Sequence, residues 1–178
     1  MQELPSNTGS PNSTEFGPFG RALLAVARWF ALAGGGVFTA LVIMSIVSIV
    51  GRKLANAPVP GDVELLQMCA AFASAAFFAY CHLTNANVKV DFFTSWISPG
   101  KRAFLDTAGS LLVGLFGALI AWRTLAGAIS LKDAGETSAV LGLPVWLAQA
   151  LMVPSFILLA LAGFYMCHRT WAGRRSNA

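Results

Sequence analysis

The segment Pro60-Gly61-Asp62-Val63-Glu64-Leu65 decides the fold class, together with the apolar run to Leu83 and the polar return Asn85-Ala86-Asn87-Val88-Lys89-Val90-Asp91 that follows. Residues 63–83 are about twenty mostly apolar positions, enough to cross a hydrocarbon core of roughly 30 Å as a helix. What comes next is neither a soluble loop nor a second span. Phe92, Phe93, Trp96 and Ile97 recur at i, i+1, i+4 and i+5, so one face of a short helix would rest in the headgroup layer. Ser98-Pro99-Gly100-Lys101-Arg102 closes the segment. There Ser98 can cap a new helix with Pro99 at its first position, where a missing N–H costs nothing.

Composition extends this reading to the whole chain. Of its 178 residues 56% are hydrophobic and only 11% charged, with a mean hydropathy of +0.66. Soluble domains carry about a quarter charged residues, so the expected class is an all-α integral membrane protein. It would have four transmembrane helices plus amphipathic interfacial helices. The spans fall at about residues 30–50, 63–83, 104–126 and 145–167, inside a membrane domain of residues 30–170. Residues 1–15 are polar, with no basic stretch ahead of an apolar one, and read as a disordered tail rather than a cleavable signal. Residues 16–29 carry Phe19, Leu23, Val26 and Ala27 largely on one side and Arg21 and Arg28 elsewhere. That suits a separate interfacial helix on an anionic leaflet, or the beginning of span one.

Small residues mark the packing faces. Ala71, Ala75 and Ala79 form one ridge on span two, and Ser110, Gly114 and Ala118 form a second on span three with Gly117 and Ala121 beside it. The two ridges are expected to be able to meet. Gly34-Gly35-Gly36 lowers helix propensity in span one but permits close packing. Pro154 is a candidate kink in span four. Trp146, like Phe92, Phe93 and Trp96, is an interfacial anchor.

The formal charge of +4 is carried by residues at helix ends and is no sign of nucleic acid. With four spans, Arg21, Arg28, Lys89, Lys101, Arg102, Arg169, Arg174 and Arg175 fall on one side. Arg52, Lys53, Arg123 and Lys132 fall on the other. The richer side is the cytoplasmic one by the positive-inside rule, so both termini are expected in the cytoplasm.

Few groups could do chemistry. Cys69, Cys81 and Cys167 form no C-x-x-C pair and read as buried thiols. Glu64 at the entry of span two and Arg123 near the exit of span three lie at similar depth. They are candidates for an ion pair, with Arg52 a competing partner for Glu64. Asp62 and Glu64 also suit the positive end of the helix dipole. No carboxylate cluster, nucleophile–base arrangement or phosphate loop appears, so neither an enzyme nor a cofactor is expected. The alternative is a redox membrane anchor holding haem between His82 and His168. A pore-forming oligomer lacks the polar stripe that a pore needs.

The order of motifs resembles a known family. Gly51-Arg52-Lys53, the Pro60-Gly61-Asp62-Val63-Glu64-Leu65 entry, Val88-Lys89-Val90-Asp91 with Ile97-Ser98-Pro99 and Lys101-Arg102, Gly135-Glu136-Thr137-Ser138, Leu143-Pro144-Val145-Trp146 and Pro154 are together similar to the small membrane subunit (DctQ type) of tripartite ATP-independent periplasmic (TRAP) transporters. The resemblance runs from about Arg28 to Arg169. It departs at Asn87, where the family commonly has histidine, so no role is carried over to that position. The resemblance implies a scaffold in the bacterial inner membrane, packed beside a large permease subunit. A periplasmic receptor would deliver a small organic anion of the carboxylate or sialic acid class, and a sodium gradient would drive symport. Lys132, Asp133 and Glu136 are the candidates for receptor contact, the alternative being a solvated loop without a partner.

Overall fold

The computed structural model describes residues 17–56, 59–84 and 99–176, and these form four helices. α1 spans Pro18–Ala55, α2 Asp62–Leu83, α3 Pro99–Ala134 and α4 Val145–Ser176. Each is long and apolar enough to cross a membrane, and the protein is an all-α, multi-pass membrane protein. The 1–15 tail and the anchors Phe92, Phe93 and Trp96 lie outside the described residues.

α1 is a single helix of 38 residues, about 57 Å at 1.5 Å per residue. Of the two readings of residues 16–29, a separate interfacial helix or the beginning of span one, residues 18–29 follow the second and form the first turns of α1. The reason is local: no proline and no polar turn separates residues 19–29 from the span beyond, so the helix simply continues. Even the glycine triplet stays helical, because Gly34 lets α2 approach. A Cβ at Gly34 would lie 2.9 Å from the Ala73 carbonyl oxygen and 3.0 Å from the Ala76 Cβ. Asn56 ends the helix in the left-handed conformation (φ 50°), its N–H donating to the Gly51 carbonyl.

α3 and α4 form an antiparallel hairpin whose register can be read from its closest approaches. Gly114 lies against Gly163, Gly117 against Ala160, and Gly127 against Gln149. On α3 the buried or half-buried positions include the run Thr107, Ser110, Gly114, Gly117, Ala121, Thr124 and Ala128. They advance by alternating steps of three and four, the 3.5-residue period of a left-handed coiled-coil seam. The ridge expected at Ser110, Gly114 and Ala118 thus turns to Gly117 and Ala121, and Ala118 is exposed. It packs mainly along α4. A connection of only ten residues makes α3 and α4 antiparallel neighbours before any other pairing can compete.

The other side of α4 packs along α2, and α2 packs on α1, so the order across the bundle is α1, α2, α4, α3. Ala73, Ala75, Ala76 and Ala79 are the buried residues of α2 that allow this double contact. Ala75 joins Ala121 and Phe156 in one cluster. Leu23, Ala27, Ala79, Leu83, Ala162 and Met166 form a second, where the first turns of α1 close over the ends of α2 and α4. Phe19 and Tyr165 meet there with ring centroids 6.0 Å apart. α4 runs through Pro154 as one helix, with buried Ser155 and Phe156 directly after it.

Candidate functional site

Two polar units stand at one rim, where α2 and α4 begin and α1 and α3 end. It starts with the turn after α3. Gly135 takes φ +67°, and Glu136 N–H donates to the Leu131 carbonyl at 3.3 Å while Gly135 N–H donates to Lys132 at 3.1 Å. This pair of bonds is the Schellman closure, which needs a residue tolerant of the left-handed region. The chain then doubles back. Thr137 bridges Pro144, Ser138 N–H donates to the Leu143 carbonyl at 2.8 Å, and Val145 N–H donates to Glu136 at 3.2 Å.

The tip of this turn would leave its own amide groups unsatisfied, and Glu64 supplies the acceptor. The Ser138 hydroxyl donates to Glu64 Oε2 at 2.8 Å, Val140 N–H to Oε1 at 2.8 Å and Leu141 N–H to Oε2 at 3.1 Å. A carboxylate accepting several bonds at once gives them charge assistance. Gly61 (φ +74°) lies directly beneath the Leu141 side chain, so its lack of a Cβ lets the entry of α2 sit under the turn. Two stretches more than seventy residues apart in the sequence, Pro60–Glu64 and Gly135–Trp146, therefore interlock as one unit.

A second unit ties α1 to α2. The Ser48 hydroxyl donates to Asp62 Oδ2 at 2.5 Å, and Asp62 Oδ1 accepts the N–H of Val63 at 2.8 Å. Arg52 reaches the same carboxylate at 3.5 Å. Ser48 is fully buried and also accepts the N–H of Val59 at 3.4 Å.

The expected ion pairs are thus rearranged. Arg52 contacts Asp62 and not Glu64, and the carboxylate of Glu64 is taken up by the 138–141 turn and not by Arg123, which is exposed on α3. Helix geometry explains the difference. Asp62 is the residue of α2 that faces α1, while Glu64, two positions on, faces α4 and the turn before it. Of the three loop candidates, Lys132 stands 5.4 Å above the centroid of Trp146, a cation–π contact that closes the end of the α3–α4 hairpin. Asp133 and Glu136 are exposed. His82 is buried at the end of α2 and His168 exposed on α4, so the pair does not present two facing imidazoles inside the bundle.

Ser48 is not singled out by sequence reasoning, and Ser138 enters it only within the Gly135–Ser138 motif, not as a partner of Glu64. For Ser48 the available signal was a polar residue in an apolar stretch; the acids that Ser48 and Ser138 meet are neighbours in space and not in sequence. Beside the interlock a groove of about 450 Å³ opens between α2 and α4, lined by Glu64, Gln67, Ala71, Ser138, Gln149 and Met152 among others.

Residues 41–173 match the family model described as tripartite ATP-independent periplasmic transporters, DctQ component. No curated protein and no solved structure matches the chain. The matched interval contains Ser48, Arg52, Asp62, Glu64 and the whole 135–146 turn, so both polar units of the rim lie inside it.

Proposed function

The chain belongs to the DctQ family, the small subunits of TRAP transporters, and from that premise we propose that it is a fixed scaffold beside the large permease subunit rather than the carrier of the solute. It is a transporter subunit and not an enzyme, and its family works with a large permease subunit and a periplasmic receptor. The finer reading is uptake of a small organic anion of the carboxylate or sialic acid class by sodium symport across the inner membrane, with both termini in the cytoplasm and the interlocked rim facing the periplasm.

One observation carries the scaffold reading: two of the segments that resemble the family, Pro60–Leu65 and Gly135–Trp146, are spent on joining helices to each other. Glu64 fastens α2 to the α3–α4 turn and Asp62 fastens it to α1. A carrier's own binding site calls for interrupted helices whose ends and freed carbonyls point at the solute near midplane. The four helices here are each continuous, and the buried polar side chains Ser48, His82, Thr107 and Ser155 are scattered over them. The charge distribution supports the orientation, since basic residues favour the side on which the chain begins and ends. At the rim, exposed Asp133 and Glu136 are the proposed receptor contacts, with Lys132 adjoining them on Trp146.

The test is reconstitution of this chain with its large subunit and receptor in vesicles. Uptake of a carboxylate that requires an inward sodium gradient and stops when this chain is omitted supports the reading. Sodium-independent uptake, or uptake unchanged without this chain, refutes it.

A further inference from the structure

A notch lies along the first turns of α1. It holds about 440 Å³ and is lined by Arg21, Leu24, Ala25, Arg28, Trp29 and Leu32. Arg21 and Arg28 are seven residues apart, about 10 Å along the axis and within about 20° of the same direction. Leu24 and Ala25 lie on the turn between them, so two guanidinium groups flank an apolar floor. Leu32 continues that floor one turn deeper, and exposed Trp29 forms its edge.

Helix geometry sets the depth. Arg28 and Arg52 are twenty-four residues apart on one continuous helix, about 36 Å, slightly more than the roughly 30 Å of hydrocarbon. With Arg52 at one boundary, Arg28 stands at the other and Arg21 lies further out, among headgroups. α1 contains no acidic residue at all. Among the described residues neither Arg21 nor Arg28 forms an ion pair, although both are exposed. Arginine matches phosphate oxygens with paired N–H donors, and an apolar floor leading into the bilayer suits an acyl chain.

We propose that this notch is a binding site for one anionic phospholipid of the phosphatidylglycerol class. The phosphate sits between Arg21 and Arg28 over Leu24 and Ala25, the interfacial part rests on Trp29, and an acyl chain runs inward over Leu32. The site would pin the long first helix at its depth while it closes over α2 and α4. The proposal rests on the membrane fold and the geometry of α1 and is independent of the transported solute.

The experiment is native mass spectrometry of the purified full-length chain, equilibrated with equal amounts of phosphatidylglycerol and phosphatidylcholine. The wild type should retain one phosphatidylglycerol in preference. With about 1 kcal/mol for each basic residue facing an anionic headgroup, R21Q/R28Q should lower that preference about thirty-fold, while R52Q/K53Q at the opposite end leaves it intact. Equal retention of the two lipids by the wild type overturns the proposal without recourse to any variant. So does an unchanged preference in R21Q/R28Q, or an equal loss in R52Q/K53Q. If the complex with the large subunit carries no such lipid, the notch is a protein contact and the assignment falls.

Discussion

Gly163→Ala is the change whose cost can be worked out most directly from the packing. A Cβ at position 163 would lie 2.5 Å from the Gly114 nitrogen, 2.6 Å from the Gly114 Cα and 2.9 Å from the Ser110 carbonyl oxygen. Ordinary carbon contacts sit near 3.5–4.0 Å, so α3 and α4 would have to part by about 1 Å at this point. All three atoms belong to backbone, and no side chain can swing away to absorb the change. Overpacking of this kind costs roughly 1–3 kcal/mol, and a gap of 0.5–1 Å forfeits a quarter to a half of each dispersion contact alongside it. The partner substitution Gly114→Ala meets Phe164 and Gly163 only at 3.2–3.4 Å, which shifts of a few tenths of an ångström relieve. Gly163→Ala should therefore destabilise by about 2 kcal/mol and Gly114→Ala by clearly less. Denaturant titration in mixed micelles, followed by tryptophan fluorescence, measures both. Equal costs for the two variants, or a Gly163→Ala protein as stable as the wild type, would refute the inferred register.

Three further expectations concern the rim. Glu64→Ala should speed amide exchange at Val140 and Leu141 at least several-fold and leave the midplane of α3 unchanged; unchanged protection at the tip would mean that the carboxylate does not hold the turn. Reversing Glu64 and Arg123 together should recover nothing that Glu64→Arg alone has lost, because the acceptor is needed by Ser138, Val140 and Leu141; assembly restored in the double variant would reinstate the ion pair. Gly135→Ala should cost about 1–2 kcal/mol from the left-handed backbone, with Gly135→Asn milder, and the same titration reads both.

Much of the fold was legible because a bilayer leaves few choices. Four apolar stretches had to be helices, and the boundary at Asp62 follows from Gly61 and the acids behind it. What escaped was the pairing of distant groups. Glu64, Arg52 and Arg123 share a depth, and depth alone made them partners; the direction of each side chain, set by a two-residue difference between Asp62 and Glu64, decided otherwise. The seam at Gly114, Gly117 and Ala121 was half visible, since steps of four describe only the first turn of a seven-residue repeat. Whether residues 16–29 stand apart from span one is left open by the sequence because arginines fit both readings: their side chains can reach the headgroups from a helix that simply continues past the boundary. The segment 85–98, with Phe92, Phe93 and Trp96, lies outside the described residues.

The central claim is that these four helices are built to sit against a second membrane protein. The most direct measurement is to tag this chain in its native membrane, solubilise it gently and quantify what remains bound. A large multi-span permease retained at a near-equal amount is the predicted result. A chain that leaves the membrane alone, or with no permease under any mild detergent, would contradict it.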